Sequence, residues 1–347
     1  MLGVAGAAWW VARRRRRARG REPLDGRVVA ITGGSRGLGL VLAEEFARLG
    51  CHVAICARDR GELERARERL EALGGEVLVH ACDVGDRAEA RGFLEVVDAR
   101  FGRTDILVNN AGIISTGPLG SHANTDFETS LDVMFWGVYE PSMAVIEGMR
   151  RREYGRIVNI TSLGGKVAVP HLLPYASAKF AAVGFSEGLR AELAGSGVYV
   201  TTVVPGLMRT GSYLNAEFAG RPRWEFAWFS VLGNLPLTST DAGSAARRIV
   251  RAAREGDAEV TIGLPAQIAA RLQGVAPGAM ANLLGTVNRF LPRDPGRHER
   301  ARARGWQSET AVSRSFLTVL GRRAARTWGQ FPLRAGTEEE PQTEREP

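Results

Sequence analysis

Arg27-Val-Val-Ala-Ile-Thr-Gly-Gly-Ser-Arg-Gly-Leu-Gly39 joins a short β-branched run to a glycine-rich turn and the start of an apolar helix. Val28 to Thr32 reads as a buried strand, and Leu40-Val-Leu-Ala-Glu-Glu-Phe-Ala-Arg-Leu49 reads as the helix that follows. Glycines between a strand and a helix permit a tight turn in which the backbone comes close to a phosphate at the helix N-terminus. The spacing is T-G-x-x-x-G-x-G on Thr32, Gly33, Gly37 and Gly39, which differs from the G-x-G-x-x-G pattern of other dinucleotide sites.

Working outward, the chain alternates strand and helix with short connections. Strands are expected at about 28–32, 52–57, 76–80, 104–109, 156–161, 198–204 and 259–262, and helices at about 38–49, 60–73, 86–101, 124–151, 174–194 and 240–254. This predicts an α/β fold of the Rossmann-like kind, a doubly wound seven-stranded parallel sheet with helices on both faces. Its ligand would lie at the carboxyl ends of the strands.

A second motif carries chemistry. Tyr175-Ala-Ser-Ala-Lys179 stands thirteen residues after Ser162. Side chains four apart on a helix are neighbours, so the Lys179 ammonium is expected to lower the Tyr175 phenol from its usual pKa of about 10. Such a tyrosine works as a general acid or base, and Ser162 can orient a carbonyl oxygen by hydrogen bonding. Alone, Y-x-x-x-K also describes an ordinary solvated helix face.

Together with Asn109-Asn-Ala-Gly112 and Pro205-Gly206-x-x-x-Thr210, in this order, these motifs resemble the short-chain dehydrogenase/reductase family over about residues 25 to 263. The resemblance implies catalytic Ser162, Tyr175 and Lys179. It also implies cofactor contacts from Thr32, Gly33, Ser35, Arg36, Gly37, Leu38, Gly39, Arg58, Asp83, Val84, Asn110, Ala111, Gly112, Tyr175, Lys179, Pro205, Gly206 and Thr210. Asp83-Val84 matches the family's adenine contact, and Thr210 the contact to the nicotinamide carboxamide. Where NAD-selective relatives carry an acidic residue at the end of the second strand, this chain has Ala57 followed by Arg58. Arg36 adds a second guanidinium suited to a 2′-phosphate, so NADP(H) is expected over NAD(H). A register two residues off would instead bring Asp59 to the ribose.

One position departs from the family. Asp132-Val-Met-Phe-Trp-Gly137 has Met134 where relatives have an asparagine that steadies a water in the lysine's proton relay. A thioether is a poor substitute for that amide. Either Lys179 reaches solvent another way and an NADP(H)-dependent oxidoreductase results, or the chain is a cofactor-binding scaffold or redox sensor with little turnover.

The substrate is expected to be an apolar carbonyl or secondary alcohol, lipid-, steroid- or retinoid-like. Residues 211–230, read as a mobile substrate loop, carry Tyr213, Phe218, Trp224, Phe226, Trp228 and Phe229. These aromatics would line a pocket, or pack a dimer interface or the C-terminal extension. His171 is expected to be a surface loop histidine. Five scattered histidines and three cysteines suggest neither a metal site nor a disulfide framework, and buried thiols suit Cys51, Cys56 and Cys82.

The 347 residues carry a net charge of +8 and 44% hydrophobic residues, enough for a substantial core. The charge is uneven. Leu2 to Ala12 is apolar and is followed by Arg13 to Arg17, an order that argues for an anchor on the cytoplasmic side of a membrane rather than a cleaved signal. An incidental arginine-rich tail is the other reading, and nucleic-acid recognition lacks base-reading elements. The expected organisation is an anchor at 1–24, a catalytic domain at 25–263, an amphipathic helical extension at 264–330 and a disordered acidic tail at 331–347. Homodimers or homotetramers are expected by the family resemblance.

Overall fold

The computed structural model describes residues 23–294 and 301–331. The proposed anchor, apart from Pro23 and Leu24, and the acidic tail beyond Phe331 lie outside the described residues. Chain order begins with β1 (Val28–Thr32), α1 (Gly37–Ala47), β2 (His52–Ala57), α2 (Arg60–Glu71), β3 (Val77–Ala81), α3 (Arg87–Phe101) and β4 (Ile106–Asn109). A short β5 (Ser115–Thr116) precedes α4 (Asn124–Leu131), α5 (Gly137–Arg151), β6 (Gly155–Ile160), α6 (Leu173–Glu192) and β7 (Val198–Pro205).

Helix starts follow local chemistry. Asp59 caps α2 by accepting from the Glu62 amide, and Asp86 caps α3 by accepting from the Ala88 and Glu89 amides. Asp59 thus serves the helix end while also lining the cleft at the end of β2. At the other end of α3, Gly102 adopts φ 76°, the left-handed conformation that stops the helix at little steric cost.

The seven-stranded parallel sheet has the order β11-β7-β6-β4-β1-β2-β3, where β11 is Glu259–Ile262. The order reverses between β1 and β4, which places the ligand crevice of a doubly wound sheet beyond the ends of those two strands. Alternate residues of β1 face opposite layers. Val29 and Ile31 pack with Leu42, Phe46 and Ile249, whereas Val28 and Ala30 join a cluster holding Phe93, Leu94, Val145 and Met149. Truncating one such buried side chain costs about 2–5 kcal/mol, so both layers are needed to hold the crevice. Cys51, Cys56 and Cys82 are free and buried, and burial pushes the Cys51 thiol up to about 12.

Two local departures from the sequence reading bear on the site. The helix expected over 124–151 is interrupted by a π-helical segment at Asp132–Trp136, the segment that contains Met134. Residues 211–230 are not a loop but fold as a 3₁₀ turn at Ser212–Leu214, β9 (Glu217–Gly220) and α7 (Pro222–Asn234), following β8 (Leu207–Arg209). The physical reason is that Phe218 and Phe226 find a buried cluster of their own with Tyr213, Leu214 and Ala325.

After α7 come β10 (Ser239–Asp241), α8 (Ala242–Glu255), α9 (Leu264–Val275) and α10 (Pro277–Asn288). Within the extension expected to be helical, β12 (Ala301–Arg304) is a strand, antiparallel to β9, and α11 (Val319–Thr327) completes the described chain. Arg302 of β12 pairs with Asp126 and Glu217, holding Asp126 down to about 2.

Candidate active site

A cleft of about 650 Å³ runs along the carboxyl ends of the sheet strands. Its cofactor end is built by the turn between β1 and α1. Gly33 has φ 65°, and a β-carbon there would stand 2.9 Å from the Ala111 backbone. The Arg36 residue at the start of α1 supplies no side-chain cap, so the first-turn amides of that helix are left without one. Apart from the Gly37 amide, which donates to the Trp328 carbonyl at 2.8 Å, this helix start opens on the cleft without a side-chain cap, and such a donor set fits the phosphates of a dinucleotide.

Among the residues expected to bind it, Gly33, Ser35, Arg36 and Leu38 from the turn and Arg58, Asp83 and Val84 from the next two strand ends line this cleft. Asn110, Ala111, Gly112, Pro205, Gly206 and Thr210 line it from the other side of the crevice. Thr32, Gly37 and Gly39 sit behind the wall. The Thr32 hydroxyl accepts from the Asn110 and Ala111 amides, and the Asn110 side chain donates to the Thr32 and Gly33 carbonyls. These bonds staple β4 to the glycine turn, so Asn110 shapes the site through its side chain.

The basic residues at the far end are not equally available. Arg36 forms an ion pair with Glu62 at 2.7 Å, and Glu62 also accepts from Ser35. Arg58 is more open, 64% exposed, with Asp83 3.9 Å away. Glu62 escaped the sequence reading although its position is visible there: three residues after the Asp59 cap, where a glutamate would normally turn back to close a capping box. Here it reaches the glycine turn instead.

At the opposite end, Ser162, Tyr175 and Lys179 converge. Tyr175 and Lys179 share one face of α6, with Lys179 Nζ 5.9 Å from the Tyr175 ring centre. Gly164 allows the approach, since a β-carbon there would stand 2.9 Å from the tyrosine ring. Ser162 Oγ accepts from the Gly164 amide and is hydrogen-bonded to the Tyr175 phenol. With one of its lone pairs so used, the serine hydroxyl directs its proton at the phenol oxygen, the direction that lowers the tyrosine pKa.

The electrostatics differ from the expectation that Lys179 lowers the Tyr175 pKa. Burial pushes the phenol above its ordinary value, with the Ser162 hydrogen bond opposing. Lys179 is itself pushed down to about 8 by burial. Sequence spacing shows adjacency but not desolvation, and desolvation dominates here. Lys179 Nζ donates to the Ile160 carbonyl at 2.9 Å. Met134 is fully buried, and its sulfur and Lys179 Nζ both lie 3.8 Å from the position a β-carbon would take on Gly112. Gly112 thus borders both the thioether and the ammonium.

The wall above this group is apolar. Leu172, Tyr213, Trp228, Phe229 and Leu232 line it, while Phe218 and Phe226 face their own core. Tyr213 and Phe229 belong both to the cleft wall and to this core, whereas Trp224 is exposed. His171 is buried rather than on the surface, 2.8 Å from Glu225, which also accepts from Trp228 Nε1. A buried carboxylate partner explains why a loop histidine turns inward.

The sequence profile described as short chain dehydrogenase matches residues 27–217. The chain belongs to this family. A similar protein, "Dehydrogenase/reductase SDR family protein 7-like" of Anopheles gambiae, is 39% identical over 199 residues, covering 56% of this chain and 62% of that one. The chain thus spans less than two thirds of that relative. Human "Estradiol 17-beta-dehydrogenase 11" is 33% identical over 208 residues, 59% of this chain and 69% of that protein. Among solved structures, L-sorbose reductase from Gluconobacter frateurii, complexed with NADPH and L-sorbose, aligns with a TM-score of 0.62 at 26% identity. That alignment covers 69% of this chain and 95% of the other. Members of this family are oxidoreductases of the CH–OH/C=O type that use a nicotinamide dinucleotide. Among the described residues no group of side chains is arranged to hold a metal ion.

Proposed function

We propose that this chain is an NADP(H)-dependent reductase of apolar carbonyl compounds, or dehydrogenase of the matching secondary alcohols. The observation that carries the reading is the single cleft with an arginine-bearing end at Arg36 and Arg58 and an apolar end over Ser162 and Tyr175. The nicotinamide dinucleotide, when bound, supplies or accepts the hydride.

The chain's own groups handle the proton. A phenol held above its ordinary pKa is protonated at neutral pH, the form a general acid must take, so Tyr175 can pass its proton to a carbonyl oxygen. Ser162 donates a second hydrogen bond and fixes that oxygen's position. Lys179, largely charged at neutral pH, places a positive charge on the same face of α6, while burial sets the resting pKa of the phenol. Leu172, Trp228 and Phe229 exclude water from the reacting end. The relative named for estradiol supports an apolar substrate, whereas the neighbour crystallised with L-sorbose warns that the fold also accepts polar ones.

The second reading, a cofactor-binding scaffold or redox sensor, is favoured by Met134 standing where the family has an asparagine. Mixing the protein with NADPH and a panel of lipophilic ketones and aldehydes separates the two. Cofactor oxidation abolished by Tyr175→Phe, with cofactor binding retained, supports the enzyme; binding without turnover across the panel supports the scaffold.

A place on the cytoplasmic surface of a membrane is part of the proposal. No helix among the described residues is long and apolar enough to cross one. Leu264, Ile268, Leu272 and Val275 of α9 and Leu283 and Val287 of α10 are exposed, which suits an interfacial helix pair. Flotation with anionic vesicles should lift the full chain, and an unchanged soluble fraction would sink this part.

A further inference from the structure

The C-terminal segment following α11 lies on the glycine-rich turn. The Gly37 amide donates to the Trp328 carbonyl at 2.8 Å, and Gly329, with φ 65°, packs against Arg36. Arg69 of α2 donates to the Thr327 carbonyl at 2.7 Å and places its guanidinium 5.0 Å from the Trp328 ring centre. On the substrate side, Asn215 donates to both the backbone and the side-chain oxygen of Gln330, each at 2.8 Å. The segment therefore bridges the two ends of the cleft and is anchored to both.

Gln330 is 6% exposed and lines the cleft. Because Asn215 engages its side-chain oxygen, the orientation of the amide is fixed and its nitrogen is turned toward Gly37. That nitrogen would meet a β-carbon placed on Gly37. The segment takes one first-turn amide of α1 for the Trp328 carbonyl and presents a side-chain NH₂ beside the same helix start. An amide NH₂ at such a place is a donor for an anion. From these contacts we infer that Gln330 is a ligand of the dinucleotide's pyrophosphate, delivered by the C-terminal extension. The inference rests on the proposed cofactor reading and assigns a binding residue far outside the glycine turn.

The test is binding rather than turnover. Dissociation constants for NADPH, NADH and adenosine 2′-monophosphate, which has no pyrophosphate, are measured for the wild type, Gln330→Ala and Gln330→Glu. Loss of one hydrogen bond to a charged group predicts a dinucleotide affinity about tenfold weaker in Gln330→Ala. Gln330→Glu keeps the volume and the Asn215 contact but adds a negative charge, so it should weaken binding further. It also tests the donor where the alanine variant fails to fold. Adenosine 2′-monophosphate should bind all three proteins alike. Unchanged dinucleotide affinity, or equal weakening of dinucleotide and nucleotide, overturns the Gln330 contact alone. A wild type that binds neither dinucleotide overturns the cofactor reading and this inference with it.

Discussion

Lys179 offers a test that needs no substrate. Burial holds its ammonium down to about 8 from an ordinary 10.5. A lysine with a depressed folded pKa gives up its proton more readily in the native state, so the unfolded chain binds more protons between those two values. Stability must then rise with pH across that window. The 2.5-unit gap corresponds to a cost of about 3 kcal/mol at neutral pH, of which about 2 kcal/mol is relieved between pH 7 and 9.5. Lys179→Met removes the titrating group while filling nearly the same volume. Urea unfolding of both proteins at pH 7 and 9.5 cancels the other groups, which the two share. The wild type should gain about 2 kcal/mol more than the variant over that interval. Met134→Asn adds an arm: an amide acceptor for the ammonium would raise its pKa by about one unit and roughly halve the gain. Parallel pH profiles for wild type and Lys179→Met would refute the claim that desolvation governs this lysine.

Two other substitutions probe the ends of the cleft. Arg58→Ala should weaken NADPH binding about tenfold while leaving NADH within about twofold, measured by titration, since only the 2′-phosphate needs that guanidinium; equal losses for both would remove the phosphate argument. Glu225→Ala strands the His171 imidazole and the Trp228 indole N–H in a buried setting, so thermal unfolding should show a loss of about 3 kcal/mol. In the same variant KM for an apolar substrate should rise with cofactor affinity unchanged, and an unshifted melting temperature would show the pair to be idle.

The seven strands and the glycine turn were legible because each is local: a β-branched run, glycines at fixed spacing, a periodic helix behind them. The grouping of Ser162, Tyr175 and Lys179 was legible through i, i+4 geometry. What spacing could not convey was solvent exclusion, and the direction of the Tyr175 shift is set by burial. The π-helical segment at Asp132–Trp136 escaped because its extra residue is accommodated by packing around Met134 and Gly137 rather than by any break in the sequence. Helix α7 had a start signal in Pro222 at its first position, but the aromatic run obscured it. The pairing of β12 with β9 and the seat of Gln330 depend on contacts between residues far apart in the sequence, which local pattern does not report.

The strap formed by residues 327–330 makes the cleft a late product of synthesis. Arg69 meets the Thr327 carbonyl across 258 positions and Asn215 meets Gln330 across 115. A ribosome can release the glycine turn, the sheet and the tyrosine helix long before the segment that roofs them emerges. Distant closures of this kind slow folding because loop entropy is lost before the contacts form. A nascent chain stalled short of α11 would therefore display the crevice without Gln330 at its glycine turn, a site still missing one wall.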